Sequence, residues 1–76
     1  MSIDLNLLRI FSAVAEQAQF ASAARSLSMP TSNVSRAIKQ LEQQLNCRLI
    51  DRTTRKMRLT EQGKILYQQA KKTLYE

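Results

Sequence analysis

The chain contains no histidine, and it holds single copies of cysteine, glycine and proline among its 76 residues. Without a histidine, a cysteine–base pair or a glycine-rich phosphate loop, the equipment of nucleophilic and phosphoryl-transfer catalysis is missing. Acids are scarce and scattered without metal-ligand spacing, so neither a metal nor a cofactor is expected, and the chain does not read as an enzyme. Cys47 stands alone, which excludes an internal disulfide and a cysteine-rich metal centre; it reads as a small apolar residue, not a redox sensor. No apolar run approaches the roughly 18 residues needed to span a bilayer. The start "MSIDLNLLRIF" lacks a basic n-region and an A-x-A cleavage pattern. A reduced, cytoplasmic setting without membrane contact is expected.

What is present is a short globular sequence. At 43% hydrophobic residues it is too apolar for a disordered tail. Its length allows one domain with a small core, as expected of a piece of a longer chain or of a subunit that needs a partner.

Twelve Lys and Arg against six Asp and Glu give a net charge of +6. Residues 1–35 sum to zero, residues 59–76 to +1, and residues 36–58 to +5, from seven cations against Glu42 and Asp51. Such local excess is the footprint of a polyanion binder. A basic surface kept for solubility is the plainer alternative.

Asp4 is placed to cap a helix over about Leu5 to Gln17, with Ile3 and Leu8 as a hydrophobic staple. Leu7, Phe11, Val14 and Ala18, with Leu8 and Ala15, form its apolar face. "QFASAARSL" follows as a second, short helix whose Ala23 and Ala24 permit close approach by another helix. Pro30 then breaks the pattern and suits the first turn of the next helix. Two short helices joined by a tight turn have the shape of a helix-turn-helix.

The stretch "MPTSNVSRAIKQLEQQL" supplies the second of these helices. At 100° per residue Val34, Ile38, Leu41 and Leu45 cluster as a buried stripe. Ser32, Arg36, Lys39 and Gln43 fall on the opposite side, and no acid accompanies them. Thr31, Asn33 and Ser35 flank the first turn. Small hydroxyl and amide groups at a helix start, with Arg and Lys one turn later, suit insertion into a DNA major groove. Serine near a helix start can instead satisfy local backbone groups, which is the plainer reading of Ser32 and Ser35. Glu42 sits to the side, where a neighbour can pair with it.

Asn46 is a reasonable helix stop. Beyond it, "RLID" and "RKMRLT" read as two short strands joined by "RTTR". The resulting hairpin carries Arg52, Arg55, Lys56 and Arg58 near its tip, as a DNA-binding wing would. Arg52 has two readings, a phosphate contact or glue to Asp51 or Glu42. Thr60 caps a last helix; Gly63, the only glycine, marks close backbone packing. Leu66, Ala70 and Leu74, with Tyr67 alongside, make an apolar stripe expected to meet the same helix of a second subunit. Lys71 and Lys72 fall on its solvated side. The expected fold is mostly α: a winged helix-turn-helix over residues 1–59, with a three-helix core and a two-stranded wing, then a dimerising linker helix from 60 to 76.

Three motifs, "DLNLLRIFSAVAEQAQFASAARSL", "NVSRAIKQLEQQL" and "RLIDRTTRKMRLTEQG", resemble the N-terminal DNA-binding domain of LysR-type bacterial transcriptional regulators. The resemblance runs from about residue 4 to the end. It implies a dimer that sets two recognition helices into successive major grooves of an interrupted inverted repeat of double-stranded DNA, with wings on the flanks. It also implies an effector-binding domain on a longer parent chain, which associates into higher oligomers. Thr31, Ser32, Ser35, Arg36 and Lys39 fall at the family's DNA-contact positions, and Arg55 at its wing arginine. Phe20, Ala23, Ala24, Leu41, Leu49 and Leu59 match its core. This sequence departs from the common pattern at Pro30 and Thr31, where many members carry "SQ", at Asn46 in place of glycine, and at Ile50 in place of phenylalanine. Asn33 and Lys56 complete the candidate DNA-binding set with Arg52. A module that binds an acidic protein is the competing class. RNA binding is disfavoured because no aromatic residues stand among the cations.

Overall fold

The computed structural model describes residues 4–52 and 57–75. Four helices and one small antiparallel ribbon follow in the order α1 (Leu5–Gln17), α2 (Phe20–Leu27), α3 (Thr31–Leu45), β1 (Ile50–Asp51), β2 (Arg58–Leu59) and α4 (Glu61–Tyr75). The helical bounds follow the expected periodicity closely. Asp4 caps α1 by accepting a hydrogen bond from the Asn6 N–H at 2.8 Å. Ile3, the other half of the expected staple, lies outside the described residues.

Three helices end on a left-handed residue, and none of the three is glycine: Ala18 (φ 56°), Ser28 (φ 55°) and Asn46 (φ 54°). After α2, Met29 donates to the Ala24 carbonyl and Ser28 to that of Arg25; after α3, Cys47 donates to Glu42 and Asn46 to Gln43. Both are Schellman endings, which satisfy carbonyls the helix leaves open. Ala18 was expected on the apolar stripe of α1. Its left-handed backbone turns the chain toward α2 instead, and Ile10 is buried in α1's face.

α1 lies against α2, α3 and α4, and α2 against α3. Phe11, Val14, Val34, Ile38 and Leu41 are fully enclosed where these helices meet. Burying a side chain of this size stabilises the fold by about 1.5–3 kcal/mol. Ala23 and Ala24 are buried as expected, while Phe20 and Leu59 pack at the core's margin.

The ribbon is shorter than its flanking sequence suggested: Ile50 pairs with Leu59 and Asp51 with Arg58. Thr60 begins α4 as expected. Its Oγ1 accepts from the Gly63 N–H at 3.1 Å and donates to the Arg48 carbonyl. Its own N–H donates to the Leu49 carbonyl at 3.0 Å.

The apolar stripe of α4 requires a correction. Leu66 and Ala70 were assigned to a dimer interface, but they are buried within the same chain, where α4 packs on α1. Tyr67 and Leu74 are half-buried along the same seam. Burial raises the Tyr67 phenol above its ordinary pKa, and the negative charges of Glu16 and Tyr75 add to that rise. The hydrophobic side chains that α4 leaves open are Ile65 and Tyr75, 60% and 66% exposed. A stripe must be buried, but helical spacing does not tell a neighbouring helix of the same chain from a second subunit.

Candidate nucleic-acid interface

α3 buries Val34, Ala37, Ile38 and Leu41 and so turns its opposite side outward. Thr31, Ser32, Asn33, Arg36 and Lys39 are exposed there, and Ser35 is half-buried. Among the described residues none of these side chains takes part in a hydrogen bond or an ion pair, so the local-backbone reading of Ser32 and Ser35 finds no support. Pro30 precedes the helix with an extended backbone and offers no side-chain cap. The Asn33 N–H donates to the Pro30 carbonyl at 3.0 Å, so the N–H groups of Thr31 and Ser32 are the ones open to an outside acceptor, at the end where the helix dipole favours negative charge.

The cations of α3 and of the segment from Arg48 to Arg52 have no carboxylate partners among the described residues. No ion pair joins Arg36, Lys39, Arg48 or Arg52 to an acid among the described residues; the described pair is Lys64–Glu61 on α4, at 3.5 Å. The acid nearest the face, Glu42, is occupied: its Oε2 accepts from the backbone N–H of Leu49 at 2.8 Å and of Ile50 at 3.2 Å. The carboxylate thus ties α3 to the first wing strand.

Arg52 is held by an aromatic ring. Its guanidinium carbon lies over Phe20, 5.1 Å from the ring centre, so the base of the wing rests on the first residue of α2. An exposed cation–π contact contributes about 0.5–1 kcal/mol and leaves the N–H donors usable. Neither this contact nor the Glu42 tether was legible in sequence. Each joins residues of different elements, where no periodicity links them. Arg55 and Lys56 lie outside the described residues.

A helix pair with α3 as its outward member, backed by α1 and flanked by a ribbon, defines a winged helix-turn-helix. Residues 5–64 match the model of the family described as bacterial regulatory helix-turn-helix protein, lysR family. An HTH-type transcriptional regulator of Xanthomonas campestris pv. campestris is 42% identical over 76 residues, covering 100% of this chain and 22% of that protein. The structure of the BenM DNA-binding domain in complex with catB site 1 DNA superposes with a TM-score of 0.92 at 37% identity, covering 96% of this chain and 82% of that one. The CbnR DNA-binding domain–DNA complex gives 0.89 at 30% identity, over 96% of this chain and 84% of that one.

The chain belongs to the lysR family of bacterial regulatory helix-turn-helix proteins. It is a regulator's helix-turn-helix domain and not an enzyme. It spans about a quarter of the length of the curated relatives it matches. No helix among the described residues is long and apolar enough to cross a membrane.

Proposed function

We propose that this chain is the sequence-specific DNA-reading domain of a LysR-type transcriptional regulator that acts in the cytoplasm. The observation that carries the reading is the outward side of α3. Thr31, Ser32, Asn33, Arg36 and Lys39 share one solvent-facing surface, and among the described residues their side chains have no internal partners. In this reading α3 enters the major groove. Ser32, Ser35 and the open first-turn N–H groups meet phosphate, and Arg36 and Lys39 reach base edges. Arg52, Arg55 and Lys56 serve the wing on flanking DNA. Relatives of this fold were solved in complex with DNA, which supports the same class of partner.

Two copies related by a two-fold axis would place their α3 helices on half-sites one helical turn apart, or a multiple of it. α4 joins them in this reading, through the side that carries Ile65. Activation or repression then follows from an effector-binding domain on the longer parent chain.

The test is titration against duplex DNA carrying an inverted repeat, scrambled duplex and RNA. Selective duplex binding that weakens steeply with salt is expected. Equal affinity for all three would transfer the basic face to an acidic protein partner.

A further inference from the structure

Between the second half of α3 and the base of the wing lies an open groove of about 430 Å³. Lys39, Gln43 and Asn46 line it from the α3 side, and Arg48 and Arg52 from the segment around β1. Three cations face one carboxylate, Glu42, whose Oε2 is already held by two backbone N–H groups. None of the three cations is paired with an acid among the described residues.

We infer that this groove seats a backbone phosphate of the DNA, with Arg48 as its dedicated ligand. The inference rests on the DNA-reading proposal and adds a contact that α3's outward face and the wing tip do not provide. The major groove of a duplex and the neighbouring minor groove share one sugar–phosphate wall. A protein with a helix in the first and a wing in the second straddles that wall. The surface joining helix to wing must therefore meet phosphates, and here that surface is this groove.

The side chains are suited to the task. Lys39 stands on the same side of α3 as Arg36, so the groove continues the reading face. Arg52 is oriented in advance by the Phe20 ring, which uses its charge and not its donors. Arg48 is exposed, while its own carbonyl is fixed by the Thr60 hydroxyl, so its backbone is anchored at the groove's edge. A fork of guanidinium donors on an anchored backbone fits a phosphodiester bidentately.

The test compares the 76-residue chain with Arg48→Gln and, as a charge-matched control on α1, Arg9→Gln. Each is titrated with duplex operator DNA over a range of salt. Each phosphate contact contributes about 0.9 to the slope of log affinity against log salt. Arg48→Gln is expected to lower the slope by about that amount per protomer, so the affinity ratio between 50 and 200 mM salt shrinks about 3.5-fold for each protomer bound. The loss should be equal on specific and scrambled duplexes, with the slope of Arg9→Gln unchanged. A single neutral methylphosphonate, walked along the duplex, should weaken the parent chain wherever it touches a phosphate, and at one place in each half-site it should leave Arg48→Gln indifferent. An unchanged slope for Arg48→Gln, or no such place along the duplex, overturns the phosphate seat while leaving the DNA reading intact. Absence of any duplex binding by the parent chain overturns the reading itself, and the seat with it.

Discussion

The carbonyl oxygen of Leu49 occupies the space that a side chain on Gly63 would need. A Cβ built on Gly63 overlaps that oxygen and lies 3.1 Å from its carbon. The same carbonyl accepts the Thr60 N–H at 3.0 Å, so it cannot swing away without releasing the start of α4.

Gly63→Ala therefore sets two effects against each other. Alanine gains about 1 kcal/mol in helix propensity. Backbone overlap costs more, because the obstacle is a main-chain atom that is itself hydrogen-bonded. A net loss of about 1–3 kcal/mol is expected in chemical denaturation. A variant as stable as the parent would show that the contact is loose.

Glu42→Ala removes the acceptor from two N–H groups, those of Leu49 and Ile50. The expected loss is about 1–3 kcal/mol if both are left unsatisfied. Glu42→Gln keeps an acceptor oxygen and should lose less. Denaturation midpoints of the two variants give the answer, and equal losses would mean that charge, not hydrogen bonding, makes the tether.

Arg36→Ala tests the reading face. If the guanidinium reads a base, binding to the specific duplex weakens by about 1–3 kcal/mol and discrimination falls at one position. If it holds phosphate, all duplexes lose alike. Unchanged affinity in a salt-matched titration would remove Arg36 from the interface.

Ile65→Asp and Leu66→Asp differ by one position on α4 and should fail differently. Ile65 is 60% exposed and Leu66 8%, so the first substitution should leave the fold intact and push the chain toward monomer in sedimentation. The second places a charge in the α1–α4 seam and should unfold it. A dimeric Ile65→Asp would put the two-fold contact elsewhere.

Ala18→Gly should raise stability by about 0.5–1 kcal/mol, since glycine adopts the left-handed backbone without the cost that a Cβ imposes. The thermal midpoint should rise. A fall would mean that the added freedom of the unfolded chain outweighs the relief of strain.

The contrast between these positions shows what one-dimensional reasoning reaches. The bounds of α1 and α3 were legible because Asp4, Asn46 and the 3.6-residue spacing of Val34, Ile38 and Leu41 act within one element. The outward set from Thr31 to Lys39 follows from the same spacing. Arg52 on Phe20 and Glu42 on Leu49 were not legible, because their chemistry admits several partners and tertiary packing selects one. The burial of Leu66 and Ala70 was legible as burial, but its direction was not. The left-handed Ala18 and Ser28 escaped notice, unlike Asn46, because the backbone bonds that close a helix end can hold a residue type that is a poor indicator of that conformation.

Leu49 offers both sides of its backbone to other elements: its N–H goes to Glu42 on α3, and its carbonyl goes to Thr60 at the head of α4. Its neighbours share the task, since Ile50 is held by the same carboxylate and the Arg48 carbonyl by the Thr60 hydroxyl. Turning α4 against α3 would rupture bonds along three consecutive residues, Arg48 to Ile50, so this short run of backbone is a rivet between the two helices.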